Sequence, residues 1–303
     1  MLYCVWEIYM QNQLCSICPR NCLIDRTSSA SFCGAKTLKI AKVMKHEWEE
    51  PCISGTRGSG AIFFSHCNLK CIYCQNAEIS HLGIGKDYTT KELANTYQKL
   101  EQLKVHNINL VTPTHYAEEI MQSLDIYKPN LPIVYNTGGY EKVETIEKLK
   151  NYVDIYLCDF KYFSNELALS YSKAPNYFQA VTTSLLQMRK NQPKDVFDEN
   201  GIMQKGIIIR HLVLPSHSND SVKILDWIYQ NLGKDTILSL MSQYTPYYKA
   251  KEHPVLKNKL KPLEYKRVLN KFITLGFEHG YSQEKESATC DYIPDFKKNT
   301  TEI

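Results

Sequence analysis

The chain has 303 residues, 43% of them apolar, and a formal net charge of +4 from 36 Lys and Arg against 32 Asp and Glu. This length and composition can bury a substantial core, which excludes a disordered chain. The small net charge, with both signs interspersed, excludes a nucleic-acid-binding tail. The densest basic run, residues 249–267, predicts a solvated helix face or a partner-docking surface.

The sequence predicts a cytoplasmic protein that does not enter a membrane. No segment approaches the about eighteen uncharged apolar residues of a membrane span. The first fifteen residues include Glu7 and lack a basic leader, which argues against a signal peptide. Eleven cysteines are many for a reducing compartment, and seven of them fall into two spaced clusters, which indicates metal binding. The other four are isolated and receive no role: Cys4, Cys52, Cys158 and Cys290.

Short apolar runs and amphipathic segments alternate after residue 60. Thr89 or Thr90 is a candidate N-cap for the first helix, and residues 199–201 predict a tight turn or small hairpin. Strands are predicted at 61–64, 108–113, 132–137, 153–162, 206–215 and 236–243. Helices are predicted at 89–103, 117–127, 143–152, around 176–190, 221–232 and 262–277.

Six such units predict parallel strands joined by right-handed crossovers. They are too few for the closed eight-stranded barrel, so the expected fold is α/β: a partial (β/α)6 TIM-like barrel with a small N-terminal metal-binding extension. We expect the extension over residues 1–50, the barrel over 51–280 and a C-terminal tail over 281–303. The active site should lie at the carboxyl ends of the strands, where "HCNLKC", "TPTHY", "NTGGY", "DFKY" and "PSHS" occur.

The first cysteine cluster, Cys67, Cys71 and Cys74, has the spacing C-x3-C-x2-C. Structural zinc usually takes four protein ligands, and catalytic zinc takes three with water. Three thiolates in one loop suit three corners of an iron-sulfur cube and leave the fourth iron open. A zinc site or a plain electron-transfer cluster is the alternative.

These residues resemble the signature of radical S-adenosylmethionine (SAM) enzymes. The segments "GSGAIFFSHCNLKCIYCQN", "NINLVTPTHY", "PIVYNTGGYE", "DIYLCDFKY", "RHLVLP" and "LMSQYTP" resemble the subfamily related to pyruvate formate-lyase activating enzymes, from residue 15 to about 275. The resemblance implies a [4Fe-4S] cluster on Cys67, Cys71 and Cys74 that cleaves SAM reductively into methionine and a 5'-deoxyadenosyl radical. It also implies a flavodoxin- or ferredoxin-like reductant and a glycyl radical enzyme as protein substrate.

The resemblance also implies the residues that hold SAM. Family members carry Gly-Gly-Glu after the second strand, where this chain has "TPTHY", so the backbone carbonyls of Thr112, Pro113 and Thr114 would have to serve without the carboxylate. After the third strand, the candidates are Asn136, Gly138 and Gly139. The two glycines either let the backbone approach a ligand or only form the turn.

Further candidates lie on the cysteine loop and on later strands. Two-residue alternation directs Asp159 and Lys161 to one face, and the resemblance implies that they hold the methionine or ribose part of SAM. Arg210 matches an Arg of the activating enzymes, whereas His211 should face the other side of its strand. The remaining candidates are Tyr73 in the cysteine loop, His115 and Gln243.

The second cysteine cluster contains Cys15, Cys18, Cys22 and Cys33 in a segment too small for its own core. Four thiolates there predict a second metal site around which the segment folds. Zinc and an auxiliary iron-sulfur cluster fit the spacing about equally. The site is therefore a zinc clip or a cluster that relays electrons or binds a partner.

Two rival functions remain open at this point. One is a radical SAM enzyme that acts on a small molecule or RNA, because fold and cofactor do not fix the target. The other is a non-catalytic iron-sulfur or zinc protein that binds partners or relays electrons, which the missing Gly-Gly-Glu carboxylate favours. Of the possible partners, a protein substrate is expected, whereas a membrane and nucleic acid are not.

Overall fold

The structure is a computed structural model that describes residues 14–29 and 31–282. Its strands are β1 (Lys39–His46), β2 (Ser59–Phe64), β3 (Lys86–Asp87), β4 (Ile108–Val111), β5 (Ile133–Thr137), β6 (Ile155–Asp159), β7 (Val196–Phe197), β8 (Met203–Leu212), β9 (Ile237–Met241) and β10 (Gly280–Ser282). Its α-helices are α1 (Pro51–Ser54), α2 (Ala77–Ser80), α3 (Thr90–Gln102), α4 (Ala117–Ile126), α5 (Val143–Lys148), α6 (Asn165–Ser172), α7 (Tyr177–Asn191), α8 (Ser218–Leu232) and α9 (Pro262–Leu275).

The strands form one open sheet in the order β10-β9-β8-β6-β5-β4-β2-β1-β3, with β7 paired to β8. The run from β2 through β4, β5, β6, β8 and β9 to β10 is parallel. Since the sheet does not close on itself, the predicted partial TIM-like barrel of six β/α units is confirmed. Its carboxyl strand ends therefore share one edge.

Helix α3 begins where the sequence indicated. The side chain of Thr89 accepts a hydrogen bond from the Glu92 amide (3.2 Å), and the Glu92 carboxylate accepts one from the Thr89 amide (2.7 Å). This capping box satisfies two amides that have no intrahelical partner. The helix then buries Leu93, Tyr97 and Leu100 against the sheet side of the fold.

The central parallel strands are buried along their whole length. Every residue of β4 and β5 is buried, as expected for strands covered on both faces. Large tyrosines fill much of the interior beside them, including Tyr135, Tyr156 and Tyr177. Because a buried hydroxyl needs a partner, these tyrosines carry hydrogen bonds into the core, and one of them reaches the site described below.

The structure adds several elements to those predicted. Strand β1 pairs antiparallel with β2, so residues 39–46 extend the barrel sheet. The boundary between the N-terminal extension and the barrel at residue 50 stays a prediction. Helix α6 precedes the predicted helix near 176–190. The predicted turn at 199–201 connects β7 and β8 as an antiparallel hairpin, with Gly201 at a φ of 74°. The strand predicted at 153–162 is shorter, because β6 ends at Asp159.

Two predictions about the ends of the chain concern residues that lie partly outside the described ranges. Of the predicted tail, 281–303, the structure describes the first two residues, which belong to β10. Cys4 and Cys290 also lie outside the described residues. Across residues 14–29 and 31–282, we find no helix with the length and apolar character needed to cross a membrane.

Candidate active site

A cavity of about 580 Å³ lies at the carboxyl ends of the parallel strands. This volume falls in the range of sites for small molecules. Eleven of the predicted site residues line it: Cys67, Cys71, Tyr73, Cys74, Thr112, Asn136, Gly138, Asp159, Lys161, Arg210 and Gln243. Five candidates do not line it: Pro113, Thr114, His115, Gly139 and His211.

The cysteine loop directly follows β2 and presents all three thiols to this cavity. Each sulfur has its own polar neighbour. The Leu69 amide donates to the sulfur of Cys67 (3.3 Å), and the Ser172 hydroxyl donates to that of Cys71 (2.9 Å). The Ser80 hydroxyl lies 3.1 Å from the sulfur of Cys74. Hydrogen bonds of this kind stabilise a sulfur that carries negative charge.

Burial is the main influence on the three thiols. It raises the pKa of Cys67, Cys71 and Cys74, the last to about 11. Proximity to Cys71 raises the pKa of the other two further, whereas Lys161 lowers that of Cys71. Since thiol pKa values are raised, deprotonation of the three cysteines would be coupled to the binding of a metal centre.

A chain of hydroxyls connects Tyr73 to Cys71. The hydroxyls of Tyr73 and Tyr162 lie 2.6 Å apart, and that of Tyr162 lies 2.7 Å from Ser172. Ser172 donates to the sulfur of Cys71. The aromatic residue before the last cysteine is thus tied to the middle cysteine through the helix α6 side of the cavity.

Asp159 and Lys161 lie on the same side, as alternation predicted, and form a partly buried ion pair of 2.6 Å. The second oxygen of Asp159 accepts from Nε of Arg210 (2.8 Å). Although burial raises the pKa of Asp159, the charges of Arg210 and Lys161 hold it below its ordinary value. Asp159 therefore stays ionised between two cations in the cavity wall.

Arg210 already has several protein partners, more than expected of an arginine left free to bind a ligand carboxylate. Besides Asp159, its guanidinium donates to Glu49 (3.0 Å) and to the side-chain oxygen of Asn136 (2.6 Å). The next residue, His211, faces away from the cavity and bonds the Phe160 carbonyl through Nδ1 (2.7 Å). The two residues thus lie on opposite faces of β8, as predicted.

Sequence reasoning missed one wall of the cavity. His46, Trp48 and Glu49, which follow or end β1, all line it. Glu49 also accepts hydrogen bonds from Asn109 (2.9 Å) and Asn136 (3.3 Å). The sequence signal for β1 was weak, because the apolar residues of "KIAKVMKH" occur in adjacent pairs and do not alternate with polar ones, although Ile40 and Val43 are β-branched.

Comparison with known proteins decides the family. The model of the Radical SAM superfamily matches residues 61–228, more than half of the chain. The chain belongs to the radical SAM superfamily. It is also 32% identical over 265 residues to Uncharacterized protein MJ0674 of Methanocaldococcus jannaschii, which covers 84% of this chain and 73% of that protein.

Solved structures are more distant. SuiB of Streptococcus suis bound to S-adenosylmethionine is 15% identical, with a TM-score of 0.48, over 72% of this chain and 48% of that chain. Native anSMEcpe with bound AdoMet and Cp18Cys peptide is 14% identical, with a TM-score of 0.44, over 71% and 60%. The chain thus spans about half the length of the solved structures that it matches.

Radical SAM membership implies a [4Fe-4S] cluster, and the donor set of this cavity fits one. Three thiols line one wall, each beside a hydrogen-bond donor, and the other described cysteines outside the N-terminal segment, Cys52 and Cys158, do not reach the cavity. Three thiolates leave one iron without a protein sulfur. Cys67, Cys71 and Cys74 are therefore the residues that would hold the cluster.

The two candidate glycines differ in role. Gly138 lines the cavity, and a Cβ on it would lie 2.8 Å from Leu69 and 3.4 Å from the Lys161 side chain. Gly139 has a φ of 78° and no cavity surface, and a Cβ there would collide with the Asp159 carbonyl. The first glycine thus permits close approach at the cavity, and the second makes the turn.

The segment after β4 is held by the carboxylate of Glu141, which lies after β5. Thr112 lines the cavity with a φ of 61°, which is rare for a β-branched residue. Thr114 is buried and donates, as Thr137 does, to Oε1 of the buried Glu141. Burial raises the pKa of Glu141 to about 7, and its hydroxyl partners lower it. Glu141 had no assigned role in the sequence.

His115 lies just beyond this segment, buried and away from the cavity. Its Nε2 bonds the Ser65 carbonyl (2.7 Å), and burial lowers its pKa to about 3. The ring therefore remains neutral at physiological pH and donates from Nε2. It holds the end of β2 just before the cysteine loop and does not present a proton to the cavity.

The four N-terminal cysteines occupy an irregular segment that packs beside the cysteine loop. Residues 14–29 and 31–38 contain no helix or strand, and all four thiols are free. The Cys33 sulfur lies 3.0 Å from the Ser31 hydroxyl and accepts from the Ala35 amide (3.5 Å). Within the described residues, no three His, Cys, Asp or Glu side chains are placed to hold a single metal ion, at this cluster or elsewhere.

Proposed function

We propose that this radical SAM protein binds SAM in the 580 Å³ cavity and cleaves it reductively to generate a 5'-deoxyadenosyl radical. The observation that carries the proposal is that Cys67, Cys71 and Cys74 share one cavity with Asp159 and Lys161. A cluster held by Cys67, Cys71 and Cys74 would supply the electron for cleavage, and SAM would be the source of the radical. The chain itself must bind, orient and exclude water.

The side chains of the cavity suit these tasks. Asp159 and Lys161 offer a fixed carboxylate and ammonium for the polar groups of SAM, since their mutual ion pair holds both in place. The backbone at Gly138 offers a close approach for the ligand. The carbonyl of Thr112 is the proposed partner of the SAM amino group, because Thr112 lines the cavity whereas Pro113 and Thr114 do not.

For the substrate, we propose the backbone glycine of a partner enzyme, on which the radical reaction would install a glycyl radical. Resemblance to the activating enzymes in "DFK" and the cysteine loop supports this. So does the cavity mouth, where Trp48 is 64% exposed. The start of the basic run packs against the cysteine loop, because the Ala250 amide donates to the Ile72 carbonyl (2.9 Å). That run would then face an incoming protein loop.

The decisive experiment is anaerobic. The protein is reconstituted with iron and sulfide, mixed with SAM and dithionite, and 5'-deoxyadenosine is quantified by mass spectrometry. Cleavage in the wild type and its loss in Cys71→Ala are expected, with Cys158→Ala as the control that keeps it. SAM cleavage that survives Cys71→Ala would overturn the proposal. Failure of the reconstituted wild-type protein to bind SAM would overturn it as well.

A second experiment addresses the substrate. A glycyl radical enzyme is added with SAM and a flavodoxin- or ferredoxin-like reductant of the cytoplasm, and electron paramagnetic resonance is recorded. A glycine-centred doublet that a Gly→Ala substrate variant lacks is expected. Cleavage triggered instead by a metabolite or RNA fraction, with no doublet from any glycyl radical enzyme, would transfer the proposal to a small-molecule or RNA substrate.

For the N-terminal cysteines we propose a second metal site with Cys15, Cys18, Cys22 and Cys33 as ligands. The absence of helix and strand from residues 14–29 and 31–38 supports it, because a segment of this kind needs a cross-link. Since no three described side chains surround a single ion here, metal binding would draw the four thiols together. The test removes the first cluster with Cys67, Cys71 and Cys74 all changed to Ala, then measures zinc and iron. Bound zinc or iron that Cys18→Ser abolishes is expected, and metal-free protein would contradict the proposal.

A further inference from the structure

Arg20 lies between the two cysteine clusters and belongs to the N-terminal one by sequence. Its Nε donates to the backbone carbonyl of Asn68 (2.8 Å), the residue directly after Cys67. The Asn68 side chain in turn donates to the Tyr140 carbonyl (2.7 Å). Arg20 is thus bonded to the cysteine loop itself, at the point where that loop meets the end of β5.

Aromatic rings fix the guanidinium in this position. Its central carbon lies 3.6 Å from the ring centroid of Phe32 and 5.0 Å from that of Tyr140. Such stacking favours Arg, whose planar group keeps its charge and its remaining donors. The charge of Arg20 therefore has a defined place in the fold.

Within the described part of the chain, no carboxylate pairs with this charge. Among the residues that the structure describes, the ion pairs do not include Arg20. Its Nη2 is buried and has no hydrogen-bond partner. The ionisable groups that face it are Tyr140 and the thiols of Cys18, Cys67 and Cys22. Arg20 is partly buried, and among the described groups that face it the cysteines of the two clusters are the ones that become anionic when they hold metal.

We propose that Arg20 is a positioning residue whose positive charge stabilises the reduced form of the cluster held by Cys67, Cys71 and Cys74. The inference rests on the proposed function, since it requires that cluster. Reduction adds one negative charge to the cluster, and a nearby cation lowers the energy of the more negative form. The N-terminal segment would thus set the reduction potential of the site on which it packs.

A purely mechanical role predicts a different behaviour. If Arg20 only held the loop through its hydrogen bond to Asn68 and its stacking, the loss of its charge alone would leave the reduction potential of the cluster unchanged. Arg20→Gln keeps a side-chain donor and removes the charge, whereas Arg20→Lys keeps the charge and loses the planar group. The pair of variants therefore separates electrostatics from packing.

The experiment is a redox titration of the reconstituted full chain without SAM, followed by electron paramagnetic resonance. The signal followed is the one that Cys71→Ala lacks. We expect Arg20→Gln to lower the midpoint potential by at least about 59 mV, a tenfold change in the one-electron equilibrium, and Arg20→Lys to stay near the wild type. Lys142→Gln is the control, because Lys142 also carries a positive charge and donates to the Ser16 carbonyl of the same segment (3.2 Å) in a solvent-exposed hydrogen bond.

Each outcome decides the proposal. An unchanged midpoint in Arg20→Gln overturns it, and so do equal shifts in Arg20→Gln and Lys142→Gln. If Arg20→Gln fails to hold iron while Arg20→Lys retains it, the charge is needed to assemble the cluster, and the proposal that it acts on the reduced form is overturned. If both variants lose iron, the role is packing and the proposal is wrong. A wild type without a reducible signal would instead contradict the proposed function, which is a separate result.

Discussion

The hydroxyl of Tyr177, in the first turn of α7, lies 2.9 Å from the backbone carbonyl oxygen of Asp159. It lies equally close to the Gly138 carbonyl and accepts a hydrogen bond from the Lys161 amide (3.0 Å). One buried phenol outside the cavity thus holds the backbone of three residues that line it. The positions of these residues depend on a helix that contributes no cavity surface itself.

Tyr177→Phe removes these bonds with almost no change of shape. We expect a loss of about 1–3 kcal/mol in the free energy of unfolding, because buried backbone groups lose their partner. We also expect weaker SAM binding, measured by calorimetry on the reconstituted protein. Tyr97→Phe is the control, since the Tyr97 hydroxyl contacts Ser123 (3.0 Å) far from the cavity. Equal SAM affinity in both variants would contradict a positioning role for Tyr177.

Asp159→Asn tests the ion pairs of the cavity wall. It leaves Lys161 and Arg210 partly unpaired, so unfolding in urea should cost about 3 kcal/mol less than for the wild type. SAM affinity should fall as well. Asp226→Asn is the matched control, because its ion pair with Lys271 (2.6 Å) is more exposed, at 30% and 37%, and is worth at most about 1 kcal/mol. Similar losses in the two variants would show that burial does not strengthen the Asp159 pairs.

Local sequence was sufficient for much of the fold and for the cysteine loop. The capping residues of α3, the apolar runs of the parallel strands and the cysteine spacing are all patterns within about twenty residues. Two-residue alternation placed Asp159 beside Lys161 and separated Arg210 from His211 for the same reason.

The remaining parts of the site depend on pairs that are distant in sequence. Glu49 meets Arg210 across 161 positions, and nothing in either local segment specifies that contact. Glu141 receives Thr114 only because β4 and β5 are neighbours, and it lies in a segment that reads as a plain turn. Tyr177 looks like an ordinary buried helix residue, since the site residues that its hydroxyl meets come from other strands.

Thr112→Gly tests whether backbone strain is stored at the cavity. The left-handed conformation costs a residue with a Cβ about 1–2 kcal/mol, which Gly avoids. Gly in turn loses more conformational entropy on folding, which offsets about 0.5–1 kcal/mol of this gain. We therefore expect a small gain, about 0.5–1 kcal/mol, in the free energy of unfolding, together with weaker SAM binding. Thr183→Gly, on the exposed side of α7, should destabilise instead. A fall in the free energy of unfolding of Thr112→Gly would show that the backbone at Thr112 is not strained.

Glu141 should make the stability of the protein depend on pH near neutrality. Burial raises its pKa from 4.5 to about 7, so the folded protein keeps a proton that the unfolded chain has released. The contribution of Glu141 to the free energy of unfolding is therefore fully present below about pH 4.5 and is lost as the pH rises through 7. At about 1.36 kcal/mol per pKa unit, the loss amounts to about 3 kcal/mol.

Glu141→Gln isolates this effect, because Gln keeps an oxygen that can accept from Thr114 and Thr137 and has no proton to lose. Urea unfolding at pH 5, 6, 7 and 8 should show wild-type stability falling relative to the variant across this range, since groups common to both proteins cancel. Glu118→Gln, an exposed carboxylate at the start of α4, should follow the wild type. Parallel curves for the wild type and Glu141→Gln would mean that Glu141 is ionised in the fold, and that its hydroxyl partners outweigh its burial.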